Sequence, residues 1–236
     1  MDKIIDVVIP AYNEELAIAN VINDIPKSLV REIIVCNNAS TDDTAKRASD
    51  AGATVLSEPR PGYGQACLKG LDHIASKEVK PHIVVFIDGD YSDYPQEMNK
   101  VVQPLIDDVA DLVIGSRALG KSESGAMMPQ QVFGNWLATR LIKLIFGHTY
   151  TDLGPFRGIK YSALQQIQME DTNYGWTVEM QVKAVQHKLR ITEVPVNYKV
   201  RIGTSKVSGT VKGTIMAGYK ILWTIAKYTF VNSKNN

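Results

Sequence analysis

Five short apolar runs, rich in β-branched residues, recur through the first 115 residues: "IIDVVIP" (4–10), "REIIVC" (31–36), "ATVLS" (53–57), "HIVVFI" (82–87) and "DLVIG" (111–115). Most are apolar at successive positions. A strand of that kind needs cover on both faces, as strands inside a parallel sheet have. Between them lie "NEELAIANVINDI", "TDDTAKRASDAG", "GQACLKGLDHIASK" and "PQEMNKVVQPLID", each polar on one side and long enough for roughly three helical turns. Strand and helix in alternation predict an α/β fold, with helices crossing over a mainly parallel central sheet. Local signals agree: Thr41 or Asp42 is placed to cap the second helix, Gly52 to end it, and Pro95 suits a first turn.

Beyond Ser116 the pattern changes. "RALGKSESGAMMPQQ" reads as a mobile loop over the carboxyl edge of the sheet, followed by a helix at 130–146 and a glycine-bounded "TDLGPFRGIK". Then come a helical "WTVEMQVKAVQHK", a strand-like "RITEVPVNY", the segment "RIGTSKVSG" and a last helical stretch from about 210 to 231. No repeat or linker divides the 236 residues. They fit one main domain over 1–209 and a C-terminal amphipathic helix and tail over 210–236.

Lys and Arg total 26 against 25 Asp and Glu, so the chain as a whole has no electrostatic pull toward nucleic acid. Cys36 and Cys67 lack metal-ligand spacing and read as buried, reduced thiols. The start "MDKIIDVVIPAYNEE" lacks the features of a secretion signal, and no apolar run approaches the ~18 residues of a membrane span. The expected location is cytoplasmic.

In open α/β sheets ligands bind beyond the carboxyl ends of the strands. Four polar or glycine-rich clusters fall there: Pro10-Ala11-Tyr12-Asn13-Glu14, Asn37-Asn38-Ala39-Ser40-Thr41-Asp42, Arg60-Pro61-Gly62-Tyr63-Gly64 and Asp88-Gly89-Asp90. Together they outline a nucleotide-sized pocket. In the last cluster two carboxylates flank a glycine at a strand end, a D-x-D pattern of hard oxygen ligands suited to Mg²⁺ or Mn²⁺. Taken alone, the same acids would be a solvated turn.

"VVIPAYNEE", "NNASTDDT", "VVFIDGD", "VIGSR", "FRG", "VEMQVKA" and "EVPVNYKVRIGTSK", in this order, resemble the family 2 glycosyltransferases of GT-A fold. Within that family the chain is similar to the polyprenyl-phosphate branch, the dolichyl-phosphate mannose and glucose synthases. The resemblance runs from residue 4 to about 209. It implies a metal-dependent inverting hexosyltransferase that takes a nucleotide diphosphate sugar as donor and polyprenyl phosphate as acceptor.

The roles that the resemblance implies are carried by named positions. Asp90 would hold the Mg²⁺ or Mn²⁺ ion, with Ser92 at its edge where the branch often has Gln; Asp88 would lie nearer the ribose. Pro10, Tyr12, Glu14, Asn37, Ser40, Gly64 and Gly89 would line the nucleotide-sugar site. Arg117, in "GSR", would lie over the sugar and acceptor, while Arg201 and Lys206 would belong to a loop closing on the diphosphate. At Asn37 the family commonly has Asp. A carboxylate accepts from both guanine N1–H and N2–H, whereas a carboxamide offers one acceptor and one donor, matching uracil N3–H and its carbonyl. UDP-sugar is therefore expected over GDP-sugar, with Asn38 or backbone groups as other readers of the base.

A phosphate acceptor is already an anionic nucleophile and needs cations for alignment, not a base. The branch usually carries a further arginine before its Gly-Asn, where this chain has Gln130-Gln131-Val132-Phe133-Gly134-Asn135. A saccharide or other hydroxyl acceptor stays open, with Glu179 as general base. Two further alternatives are a sugar-phosphate nucleotidyltransferase, whose Gly-rich, arginine-containing loop "PAYNEE" lacks, and a non-catalytic nucleotide-sugar-binding protein.

Lys212, Lys220 and Lys227 fall within about 80° of one another on a helical wheel. A basic stripe on an otherwise apolar helix fits a helix lying peripherally on the cytosolic face of a membrane, as does "NWLATRLIKLIFG" (135–147). Packing on the catalytic domain or on a second copy in a homo-oligomer is the alternative.

Overall fold

The computed structural model describes residues 3–204 and 211–232, with only the backbone described at 211, 212, 214 and 230–232. Its first strand, β1 (Ile5–Ala11), is buried at every position. The reason is its place inside a seven-stranded sheet, where successive side chains enter opposite core layers. Val7 and Ile9 join one layer and Val8 the other.

The elements follow as α1 (Ile18–Asp24), β2 (Glu32–Asn38), α2 (Thr44–Asp50), β3 (Thr54–Glu58), α3 (Tyr63–Ser76) and β4 (Ile83–Phe86). After a short 3-10 turn at Pro95–Glu97 come α4 (Met98–Ile106), β5 (Leu112–Ser116), α5 (Pro129–Phe146), β6 (Arg157–Lys160) and α6 (Tyr161–Ile167). The chain ends with α7 (Trp176–Gln186), β7 (Ile191–Pro195) and α8 (Val211–Asn232). The strand order is β3-β2-β1-β4-β6-β5-β7. Every neighbouring pair is parallel except those made by β6, which runs antiparallel between β4 and β5.

All six expected strands form. The two elements the sequence did not announce are β6 and α6. β6 is four residues long, carries a charged residue at its first position and a glycine at its second, and so lacks a β-branched run. It is nevertheless inside the sheet, because Arg157 is fully buried and donates to the carbonyls of Leu153, Gly154 and Thr177. Gly158 is required there: a Cβ would come within 2.8 Å of Leu105 on α4.

The expected helix signals are used in part. Asp42 Oδ1 accepts the Thr44 N–H at the start of α2, and Gly52 takes φ +89° beyond its end. Residues 117–128 form no regular element, yet they are laced down: Tyr198 N–H donates to Lys121 C=O, and Glu123 N–H to Tyr198 C=O. α8 packs against α5 and α7. Both cysteines are free and buried. Among the described residues no helix is long and apolar enough to cross a membrane.

Candidate active site

The carboxyl ends of β1, β2, β4 and β5 lie along one edge of the sheet, and the loops leaving them are tied together by local hydrogen bonds. Asn13 sits at φ +54°, a left-handed conformation that asparagine tolerates. Its N–H donates to Ser40 Oγ at 3.0 Å and its Oδ1 accepts the Thr41 N–H at 2.8 Å. Glu14 N–H donates to Thr44 Oγ1 at 2.8 Å, so the first two loops form one unit. After β4 the chain turns sharply: Tyr91 takes φ +62°, and Asp90 Oδ1 accepts both the Ser92 N–H at 3.0 Å and the Ser92 hydroxyl at 2.6 Å.

Two clefts open on this edge. The first, about 310 Å³, is lined by Pro10, Tyr12, Glu14, Asn38, Gly62 and Tyr63 together with Asp88, Gly89, Asp90, Tyr174 and Arg201. The second, about 720 Å³, runs between α5 and α8 and is lined by Arg117, Met128, Gln130, Gln131, Asn135, Leu153, Pro155, Tyr198, Val200 and Ile221, among others. Both include Tyr63, Asp88, Asp90, Tyr174 and Arg201. Those five residues form the junction.

Electrostatics at the junction are unusual. Burial, and then the neighbouring Asp90 carboxylate, raise the Asp88 pKa to about 6, although Tyr63 OH donates to Asp88 Oδ1 at 2.9 Å. Asp93 is 1 % exposed, and neither of its carboxyl oxygens has a hydrogen-bond partner among the described residues. Burial, and then the charge of Asp88, push its pKa up. Arg201 answers the acids directly, with Nη1 at 3.1 Å from Asp90 Oδ2 and Nη2 at 2.6 Å from Glu14 Oε1.

Among the described residues no group of three or more His, Cys, Asp or Glu side chains converges on one point as a metal cage. Asp88 and Asp90 fit a different arrangement, in which one or two carboxylates share a Mg²⁺ or Mn²⁺ ion with substrate phosphates. Two crowded acids, one of them hard to ionise, are the donor set such an ion would relieve. Ser92 points its hydroxyl at Asp90 and lines neither cleft, so it supports the ligand in this structure and is not placed as one.

Several other expected residues stand differently from their expected roles. Gly64 does not line the first cleft: a Cβ there would lie 1.9 Å from Asp171 C=O, so its bareness serves packing on that segment. Gly62 lines the cleft instead. Ser40 braces Asn13 and lines neither cleft. Asn38, not Asn37, lines the first cleft, but its amide is occupied by Glu58 C=O, Arg60 C=O and Gly62 N–H. Asn37 Oδ1 is buried and has no partner among the described residues. Lys206 lies outside the described residues, as does the side chain of Lys212.

Arg117 reaches the second cleft, but its guanidinium is held by Asp152, with Nε to Oδ2 at 2.8 Å and Nη2 to Oδ1 at 2.7 Å. Asp152 is in turn placed by Glu193, which accepts the N–H groups of Thr151 and Asp152, and by Asn135, which clasps Thr151 C=O and Leu153 N–H. Glu179 departs most from its expected position. It has no exposure, lines neither cleft, and its carboxylate takes the N–H groups of Glu170 and Asp171, the Tyr228 hydroxyl and Lys183 Nζ. All its acceptor positions face inward, where a base needs one on the substrate.

Sequence reasoning passed over Tyr63, Asp152, Tyr174 and Tyr198. Tyr63 had a signal in its flanking glycines, and Asp152 in the glycine-bounded "TDLGPFRG". Tyr198 had one in "EVPVNYKVRIGTSK" and lines only the second cleft, whereas Tyr174 had none, being brought to the junction by a loop packed from elsewhere.

Comparison with known proteins accords with this architecture. A model described as "Glycosyl transferase family 2" matches residues 6–168. An uncharacterised glycosyltransferase of Mycobacterium tuberculosis is 35% identical over 215 residues, covering 90% of this chain and 94% of that one. A UDP-N-acetylglucosamine–dolichyl-phosphate N-acetylglucosaminyltransferase of Methanococcus voltae is 29% identical over 243 residues, covering 94% of each. Among solved structures, glucosyl-3-phosphoglycerate synthase of M. tuberculosis in complex with Mn²⁺, UDP-glucose and phosphoglyceric acid superposes with a TM-score of 0.76 at 25% identity, covering 96% of this chain and 80% of that one. The family model covers both acids and every named residue of the first cleft except Tyr174 and Arg201, and the chain belongs to glycosyl transferase family 2.

Proposed function

We propose that the protein transfers a hexose, with inversion, from a UDP-sugar to a polyprenyl phosphate. The observation that carries this reading is the meeting of two clefts at Asp88, Asp90 and Arg201, one of nucleotide size and one running out between two helices with apolar outer faces. α5 exposes Phe133, Trp136 and Leu144; α8 exposes Ile215, Met216, Tyr219 and Trp223. Arg140 and Lys143 are exposed beside the first set, the mixture that lies well on an anionic lipid surface. Among the described residues the cations lining the second cleft are Arg117 and Arg201, and the rest of its wall is largely apolar, small and amide, which suits a lipid phosphate.

In the transfer, a phosphate oxygen of the acceptor attacks the anomeric carbon from the face opposite the leaving group. The bond from that carbon to the UDP β-phosphate oxygen breaks, and its electron pair stays on the phosphate. Asp90, with Asp88 beside it, would hold a divalent ion, which would supply charge neutralisation for the diphosphate. Arg201 exchanges its ion pairs with Glu14 and Asp90 for the donor's phosphates, and Asp88 aligns the ribose side. Arg117, fixed by Asp152, presents a positive charge toward the second cleft and orients the acceptor phosphate. No general base is needed, in keeping with the inward-facing carboxylate of Glu179. Asn37, the expected reader of the base, lines neither cleft and is given no contact with it. The catalytic domain is assigned to 1–209 and a membrane-interfacial C-terminal amphipathic helix and tail to 210–236.

Incubation with UDP-glucose, UDP-GlcNAc or GDP-mannose, each with a short polyprenyl phosphate or with 3-phosphoglycerate and Mn²⁺, tests the reading by product mass. A glycosylated lipid from a UDP-sugar supports it. A product only from 3-phosphoglycerate, or only from GDP-mannose, overturns the acceptor or the donor assignment respectively.

A further inference from the structure

α8 has an inner face whose contacts serve neither cleft directly. Lys220, Thr224 and Tyr228 recur every four residues, hence on one side of the helix, and all three meet the segment 170–179. Lys220 Nζ lies 2.9 Å from Asp171 Oδ2. Gly175 is pressed so closely to α8 that a Cβ there would stand 2.4 Å from Thr224 Oγ1. Tyr228 OH donates to Glu179 Oε1 at 2.6 Å.

The segment is gripped equally firmly from inside. Glu179 accepts the N–H groups of Glu170 at 3.0 Å and Asp171 at 2.7 Å, and pairs with Lys183 at 2.9 Å. Asp171 Oδ1 then accepts the N–H groups of Asn173 and Gly175. Thr172 C=O accepts the Gln65 N–H at 2.9 Å in the first turn of α3, beside Gly62, which lines the first cleft. Held in the middle of these contacts is Tyr174, which lines both clefts.

We propose that residues 170–175 are a coupling segment: the seating of α8, read through Tyr228 and Lys220 by the buried Glu179 and by Asp171, sets Tyr174 at the junction of the two clefts. Glu179 is then a positioning residue that acts through Tyr174. The functional consequence rests on the reading of the first cleft as the UDP site, while the mechanical link does not.

A double-mutant cycle on the full chain tests the proposal, using Tyr228→Phe, Tyr174→Ala and the double variant, with thermal unfolding as a check that each folds. UDP affinity with Mn²⁺ is measured by calorimetry, and amide hydrogen exchange is followed without ligand. Tyr228→Phe is expected to weaken UDP binding roughly five-fold and to speed exchange at Glu170, Asp171 and Gln65 by about three-fold or more, leaving β1 unchanged. In the Tyr174→Ala background the same substitution is expected to shift UDP affinity by less than about 1.5-fold. Strictly additive losses, or unchanged exchange at those three amides in both Tyr228→Phe and Lys220→Met, overturn the proposal. If the wild type binds no UDP, the donor assignment fails on its own, and the exchange data still decide the mechanical link.

Discussion

Arg117 and Asp152 form a two-pronged ion pair, 2.8 and 2.7 Å between guanidinium and carboxylate, with the acid side chain 1 % exposed and the arginine 11 %. The cation expected to meet the acceptor is thus aimed by a residue 35 positions away. Breaking a buried pair by removing one partner leaves the other charge uncompensated. Asp152→Ala is expected to cost about 3 kcal/mol of stability by denaturant unfolding. Arg117→Lys, which keeps the charge but loses the fork, is expected to reduce kcat roughly 100-fold with UDP affinity within two-fold of wild type, checked by steady-state kinetics and calorimetry.

At the first cleft, Asp90 is the proposed ligand of the ion shared with the donor. Asp90→Ala is expected to abolish the Mn²⁺-dependent part of UDP binding. Calorimetry with and without the metal measures this, and a variant whose UDP affinity still rises with Mn²⁺ would contradict the assignment.

The first cleft is the proposed UDP site. The wild type is expected to bind UDP about ten-fold more tightly than GDP, a difference of about 1.4 kcal/mol. Asn37→Asp, at a residue that lines neither cleft, should leave that gap unchanged. Equal affinities in the wild type would sink the idea.

Glu58 anchors the loop 58–62 beside the nucleotide cleft. Hydrogen bonds from the Arg60 side chain, with burial opposing and the Arg60 N–H assisting, hold its pKa at about 2. A depressed carboxylate contributes stability that is fully present above its unfolded pKa of about 4.3 and is lost as pH falls through the folded value. Because Arg60 is 71 % exposed, solvent screening limits the contribution to about 1 kcal/mol. Glu58→Gln is therefore expected to lower stability at pH 7 by about that much and to flatten its fall between about pH 4 and 2. Denaturant titrations at several pH values would show it.

Gly64 tests packing against the coupling segment. A methyl 1.9 Å from Asp171 C=O cannot be accommodated without backbone movement. Gly64→Ala is expected to destabilise by about 2–3 kcal/mol and to weaken UDP binding as well. Gly125→Ala, at φ +82° with no neighbour within 4 Å of the added carbon, should cost only its local backbone strain and leave UDP affinity unchanged.

Much of the site was legible because it follows strand ends. Pro10, Tyr12, Glu14, Asp88, Gly89, Asp90 and Arg201 all line the first cleft, and each belongs to a motif at or near the carboxyl edge. The residues that stand elsewhere share one property: their position depends on which partner takes their hydrogen bonds. Glu179 is on the expected helix, yet its carboxylate turns inward because Tyr228, Lys183 and two backbone N–H groups supply four donors there. Asn37 and Asn38 are adjacent on a strand, and alternation sends them to opposite faces. Only the packing of the 58–62 loop decides that Asn38 is the one spent on structure.

The amino-acid sequence by itself determined the α/β class, the parallel order implied by apolar runs and crossover helices, and the edge on which the acids gather. Those are consequences of local periodicity, which a single chain segment displays. The tertiary structure decided that a four-residue strand with a buried Arg157 enters antiparallel, that Arg117 is aimed by Asp152, and that α8 grips the segment carrying Tyr174. Each of these rests on pairing between groups far apart in the chain, where the low dielectric of the interior makes one satisfied set of hydrogen bonds outweigh any local preference.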